Sequence, residues 1–228
     1  MKQSMRLALS LREEPFFRTM SESLLTRIEN YVFHREYETR QIVYFPDDAC
    51  DFVYWVREGR VKVTRVSGDG RELTFRHLAA GDILGEECLV ERPRRGAYAE
   101  AMEPTVLCLM RADDFRRIAR EECEVSLKVA QRLCQRTVEI EQVLSETVFK
   151  TVRCRVASGL LRAYRRNAKT DGPALRLTHQ EIASLIGSTR ETTTAVLHGF
   201  REEGVLSLAN RRLIVLDPVA LEHAAGGR

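Results

Sequence analysis

Hydrophobic residues recur along this chain with two periods, and the switches between them outline its parts. After a short leader, residues 21–32 place Leu24, Leu25, Ile28 and Val32 at helical spacing. From about Arg35 the period shortens to that of strands. Ile42-Val43-Tyr44-Phe45, Phe52-Val53-Tyr54-Trp55-Val56, Val61-Lys62-Val63-Thr64 and Leu73-Thr74-Phe75 are β-branched or aromatic runs. Turn residues at Pro46-Asp47-Asp48, Glu58-Gly59, Ser67-Gly68-Asp69-Gly70 and Ala80-Gly81-Asp82 separate them. Many short strands at this spacing predict an antiparallel roll or barrel that continues through residues 97–110. Residues 114–118 then return to a helical pattern.

Residues 124–148 contain neither Gly nor Pro, and Ala130, Leu133, Thr137, Ile140 and Leu144 recur at intervals of three and four. Such a stripe is the seam of a two-stranded coiled coil, although a single amphipathic helix lying on its own domain shows the same over so short a run. The dimer reading is preferred because this helix joins regions of different charge. Residues 152–164 are helical again, and 165–173 form a polar linker with Gly and Pro.

The most specific pattern lies in residues 178–206. Thr178-His179-Gln180-Glu181 reads as a capping box opening a helix with Ile182, Ala183, Leu185 and Ile186 apolar. Gly187 stops it, and Ser188-Thr189-Arg190-Glu191 reads as a second capping box. Two helices across a Gly-bearing turn predict a helix-turn-helix. In the second helix Val196, Leu197 and Phe200 form the buried side. Arg190, Glu191, Thr194, His198 and Arg201 share the exposed side. Arg bonds guanine bidentately and Glu accepts from cytosine N4, which suits a major groove, whereas the bland reading is a charged, solvated first turn. Residues 204–216 then read as a hairpin turning at Ala209-Asn210. Arg211 and Arg212 at its tip would form a wing that touches phosphate.

Charge agrees with that placement. Net charge is only +3, but residues 150–228 hold 13 Lys and Arg against 7 Asp and Glu, while the rest holds 23 against 26. The C-terminal third is therefore +6, which predicts an anionic partner such as double-stranded DNA. No apolar run is long enough to span a membrane, and the N-terminus lacks the apolar core of a signal peptide, so a cytoplasmic protein is expected. The six cysteines lie far apart without metal spacing, and are expected to be reduced and mostly in the core. No metal site, phosphate loop or catalytic triad stands out, and no enzyme activity is expected.

The order of parts resembles the CRP/FNR family of bacterial transcription regulators over roughly residues 20–220. QEIASLIGSTRETTTAVL resembles the family's recognition motif, and GDILGEE with RRGA resembles elements of its cyclic-nucleotide cassette. The resemblance implies an α+β fold: an N-terminal antiparallel β-roll effector domain (1–118), a long dimerisation helix (119–149) and a winged helix-turn-helix DNA-binding domain (150–228). It implies a homodimer on a palindromic promoter site, and RNA polymerase as a partner if the protein activates. Carried over by position, Arg190 and Glu191 match base readers, Thr178 and Thr189 match phosphate-binding hydroxyls, and Arg211 matches a wing cation. Ala195 stands where many relatives carry a second base-reading Arg, so a shorter or altered half-site core is expected. Thr193 replaces an apolar residue.

In the effector cassette Gly85 and Glu86 match the ribose-binding pair and Arg95 the phosphate-binding Arg. The competing reading makes Gly85 and Gly81 plain β-roll turns and Arg95 a surface ion pair. Gly96 replaces a phosphate-bonding Ser, and Ile140 and Glu141 replace the Thr and Ser that face adenine, so cyclic AMP is disfavoured. An iron–sulfur cluster is disfavoured because the first cysteine is Cys50, and haem because His34 and His77 are isolated. Carboxylates beside Cys88 should raise its pKa, and Cys134 is expected to serve packing. The competing function is a cyclic-nucleotide-binding regulatory subunit docked on an enzyme, which Arg190, Glu191 and the wing arginines argue against.

Overall fold

A computed structural model of the chain describes residues 11–13, 15–70, 72–91, 93–167, 174–209 and 212–226. These residues form two compact units, one from those in Met1–Asp69 and Phe75–Gln135, the other from those in Gly70–Thr74 and Arg136–Arg228.

The N-terminal strands are β1 (Val32–Tyr37), β2 (Ile42–Tyr44), β3 (Phe52–Glu58), β4 (Val61–Val66), β5 (Glu72–Leu78), β6 (Ile83–Leu84), β7 (Tyr98–Ala101) and β8 (Thr105–Arg111). They make two four-stranded sheets in the orders β1-β8-β3-β6 and β2-β7-β4-β5. Neighbours such as β1 and β8, or β4 and β7, run antiparallel. The unbroken apolar run of β3 has a physical cause, since this strand is covered on both faces. Tyr54 and Val56 turn into one core with Val61, Val63, Ala99 and Leu107. Val53 and Trp55 turn to a second core that includes residues of α1 (Glu22–Glu29), α2 (Ala112–Glu121) and the start of α3 (Cys123–Phe149). There the Trp55 ring lies 5.1 Å from Phe17 and 5.8 Å from Phe115, near the separations at which aromatic pairs add to plain burial.

Two local expectations need correction. The helix expected over 21–32 ends at Glu29, and Val32 opens β1 opposite Met110, because a β-branched residue with a strand partner leaves the helix pattern. Only Cys50, Cys88 and Cys108 are buried. Cys123 and Cys134 are exposed and Cys154 is half-buried, so Cys134 is not part of the buried core it was expected to fill.

The second unit contains the end of α3, then α4 (Val152–Asn167), β9 (Ala174–Leu175), α5 (His179–Ile186), α6 (Arg190–Glu202), β10 (Leu206–Ala209), β11 (Arg212–Val215) and α7 (Pro218–Gly226). The stretch expected to be a linker from 165 is helical through Asn167; residues 168–173 lie outside the described ones. A short strand was missed: β9 pairs with β11, so the wing sheet has three strands in the order β10-β11-β9. Val156, Leu160, Leu175, Ile182, Leu197, Phe200, Leu213 and Leu221 build its core.

Glu146 ties α3 to α4. Its carboxylate is nearly buried, accepts from Arg162 Nη1 at 2.6 Å and Lys150 Nζ at 3.4 Å, and Lys150 donates onward to Ser158 at 3.0 Å. Burial alone would raise its pKa, but the Arg162 hydrogen bond and the Arg162 and Lys150 charges outweigh burial and hold it below the usual carboxylate range. No helix among the described residues is long and apolar enough to cross a membrane.

Candidate nucleic-acid interface

Each helix of the turn starts with a side-chain cap. At α5, Thr178 Oγ1 accepts from the Glu181 N–H at 3.2 Å, and Glu181 Oε2 accepts from the Thr178 N–H at 2.6 Å and its hydroxyl at 2.9 Å. The expected capping box is therefore complete. Gly187 ends the helix at φ 62°, a left-handed conformation that glycine adopts without strain. The second cap differs from expectation. Thr189, not Ser188, is the N-cap of α6, its hydroxyl accepting from the Thr192 N–H at 3.2 Å. Glu191 thus sits one residue too early to reach back, and the Ser188 N–H goes instead to the Ala183 carbonyl at 3.0 Å, closing the turn.

These caps aim α6. Thr193, Leu197 and Phe200 are fully buried and Val196 is half-buried on the core, while Arg190, Glu191, Ala195, His198 and Arg201 are exposed and Thr194 is partly so. The side expected to read DNA is thus the outward one. Arg153 of α4 braces the buried side, its guanidinium 4.2 Å from the Phe200 ring centre and bonded to Glu203 at 2.5 Å. Thr193 Oγ1 is buried without a hydrogen-bond partner. Arg212 is exposed at the start of β11, opposite Ala209; Asn210 and Arg211, the expected turn and wing cation, lie outside the described residues.

His179 was not among the sequence candidates, and the structure puts it on this surface. Its Nδ1 lies 3.0 Å from Thr194 Oγ1, joining the first residue of α5 to the middle of α6. Burial lowers its pKa first, with the charges of His198, Arg190 and Arg201 adding to that. No sequence signal could have found it, because the contact spans 15 residues across two helices.

The residues matched to an effector site are arranged differently from expectation. Arg95 is no surface ion pair: its side chain is 1% exposed, with Nη1 donating to Glu87 Oε2 at 3.2 Å and its guanidinium 4.4 Å from the Tyr44 ring centre. Glu86 is buried and accepts from Arg76 Nη1 at 2.8 Å. A Cβ on Gly96 would lie 2.7 Å from Arg65 Nη2, whose guanidinium donates through Nε to the Gly96 carbonyl at 2.6 Å. Gly85 has φ +90°, and a Cβ there would meet the Phe52 carbonyl at 2.8 Å and Arg95 Nη1 at 2.9 Å. Arg95 and Glu86, the two charged residues matched to that cassette by position, are thus each held by a protein group of opposite charge. Ile140 and Glu141 are exposed on α3. Cys88 is fully buried, and its thiol is pushed up to about 12, mainly by burial and only weakly by Glu87, a different order of causes from the one expected. His34 Nδ1 is 3.4 Å from Cys108 Sγ, and burial lowers its pKa.

On α3, Ala130, Thr137 and Leu144 are exposed, and Leu133 and Ile140 are 38% and 48% exposed. Leu127 and Val148, at 60% and 65%, extend the same stripe at both ends.

Comparison with known proteins places both halves. Residues 34–122 match the family described as cyclic nucleotide-binding domain, and residues 154–224 the Crp-like helix-turn-helix domain. The chain is 30% identical over 217 residues to the cyclic AMP receptor protein of Thermus thermophilus, covering 95% of this chain and 99% of that one. It is 31% identical over 193 residues to the global nitrogen regulator of Synechocystis, covering 82% and 86%. A crystal structure of a CRP-family transcriptional regulator from Thermus thermophilus is 29% identical with a TM-score of 0.70, covering 84% of this chain and 96% of that one.

Proposed function

Because the chain belongs to the CRP/FNR family of transcription regulators, we propose that it works as a homodimer on a palindromic promoter site, without control by cyclic AMP. It is a transcription regulator with a DNA-binding helix-turn-helix, not an enzyme. The observation that carries the DNA reading is the division of α6 into a buried side of Thr193, Leu197 and Phe200 and an outward side of Arg190, Glu191, Thr194, His198 and Arg201. Arg190 and Glu191 stand in the first turn, where a recognition helix goes deepest, and supply sequence preference. Thr178, Thr189, Arg211 and Arg212 supply phosphate contacts. Ala195 is too short to reach a base, so Arg190 and Glu191 dominate each half-site.

The exposed apolar stripe of α3 supports the dimer. Ala130, Leu133, Thr137, Ile140 and Leu144, flanked by Leu127 and Val148, would seam two copies, and the two heads would then meet half-sites about 34 Å apart. Independence from cyclic AMP is supported by the Arg95–Glu87 and Arg76–Glu86 pairs and by Arg65 at Gly96. Relatives of equal similarity named for cyclic AMP and for nitrogen support the view that the signal varies within the family. The protein would act in the cytoplasm, with RNA polymerase as its partner where it activates. A regulatory subunit docked on an enzyme is disfavoured, since it has no use for an outward α6.

The test is binding-site selection from random duplexes with wild type and Arg190→Ala. Wild type should recover a palindrome, and the variant should lose information at one base pair per half-site, with about 1 to 3 kcal/mol lost on the best site. The same palindrome with equal information from both proteins would mean that α6 is not the reader.

A further inference from the structure

Thr194 and His179 meet where two helices of the turn cross, and their chemistry carries further than a packing contact. A hydroxyl 3.0 Å from an imidazole nitrogen has two ways to bond. In the neutral imidazole with its hydrogen on Nε2, the tautomer that free imidazole side chains prefer in water, Nδ1 accepts and the Thr194 hydroxyl must donate to it. The hydroxyl then shows only lone pairs to its surroundings. In the imidazolium both nitrogens carry hydrogen, so Nδ1 donates to Thr194 Oγ1 and the hydroxyl hydrogen is free to point outward. Duplex DNA presents acceptors there, namely phosphate oxygens, guanine N7 and O6, adenine N7 and thymine O4.

We infer that His179 is a proton-linked positioning residue of the DNA face, and that DNA binding draws a proton onto it and so turns Thr194 from an acceptor into a donor aimed at the duplex. This rests on the DNA-binding reading of α6. The groups acting on His179 from α6 are His198, Arg190 and Arg201, and none of them is a carboxylate. On its own helix the carboxylate Glu181 is engaged with Thr178. In free protein burial first, and then the charges on α6, oppose the extra proton and hold His179 below the ordinary imidazole value. DNA engages Arg190 and Arg201, which offsets that field, and its phosphates add a negative potential around the face, so the proton is taken up on binding. The sign follows: binding tightens as pH falls through the range where free His179 is neutral and DNA-bound His179 is charged.

The test is the dissociation constant of the full-length dimer for its selected duplex between pH 6 and pH 8 at fixed salt, for wild type, His179→Gln and His198→Gln. Gln keeps a donor and an acceptor but does not titrate. Wild type should bind about tenfold more weakly per pH unit for each His179 that takes up a proton, and His179→Gln should lose that dependence while still binding near pH 8. His198→Gln should retain the His179 share. Nitrogen-15 NMR of the imidazoles in wild type covers the case in which His179→Gln fails to fold. There His179 should carry its hydrogen on Nε2 in free protein and titrate at higher pH in the complex. An unchanged pH slope in His179→Gln, or an imidazole that titrates identically free and bound, would overturn the inference and leave the DNA reading standing. Absence of sequence-selective DNA binding by wild type at every pH would overturn that reading and this inference with it.

Discussion

Replacing Thr193 by Val should stabilise the recognition helix, against the usual outcome of a core substitution. Thr193 is fully buried in α6, and its Oγ1 has no hydrogen-bond partner. A buried hydroxyl left unpaired costs about 1 to 3 kcal/mol of desolvation, whereas the methyl of Val has nearly the same volume and no such cost. Helix propensity hardly opposes the change, because Thr and Val are close in rank and both β-branched. A small loss for reshaping contacts leaves a net gain of about 1 to 2 kcal/mol. Global melting of a two-unit chain is a poor readout, since the units need not unfold together. Amide hydrogen exchange within α6 reads the local opening directly and should slow by about 5- to 30-fold, the factor matching that free energy. Affinity for DNA should stay unchanged, because Thr193 is fully buried in the core whereas Arg190 and His198 are exposed. Faster exchange in α6 would refute the reasoning, since it would mean that the hydroxyl has a native partner worth more than its desolvation.

Three further outcomes follow from other parts of the molecule. Glu146→Gln should cost about 3 kcal/mol in the second unit, at the low end for a broken buried pair because Arg162 and Lys150 keep some solvent. Since the folded pKa of Glu146 is lowered, its stabilisation is present above the unfolded carboxyl pKa near 4.5 and disappears as pH falls through the folded value; acid denaturation followed by circular dichroism should therefore show a shallower acid limb in Glu146→Gln. Leu133→Glu with Ile140→Glu should give folded monomers by light scattering that no longer bind DNA, because both side chains are open to water in one chain and would be buried as unpaired carboxylates only between two; a double variant that stays dimeric would show the seam to be elsewhere. Titration calorimetry with cyclic AMP should give no micromolar binding and no tightening of DNA binding, whereas both together would mean that Arg95 and Glu86 leave their protein partners for the ligand.

The helix-turn-helix was legible before any coordinates because its signals are local: a cap three residues from its partner, a glycine at one helix end, apolar residues three and four apart. Thr178, Glu181, Gly187, Leu197 and Phe200 all do what those spacings imply. The β-roll strands were legible for the same reason, and so was α3, whose 27 residues lack any helix breaker. Local rules failed where a partner distant in sequence decides. Val32 leaves the helix because Met110 offers a strand edge, and Ala174 and Leu175 form a strand only because Leu213 and Ile214 lie beside them. Arg95 could match a ligand motif by position, yet what it binds depends on Glu87, Phe52 and two tyrosines from three other segments, which spacing does not reveal. His179 met Thr194 only when two helices were packed against each other. Periodicity and capping act over one or two turns of chain and are written into the residues; ion pairing, burial and cross-helix hydrogen bonds depend on which segments meet, and the folded chain alone decides that.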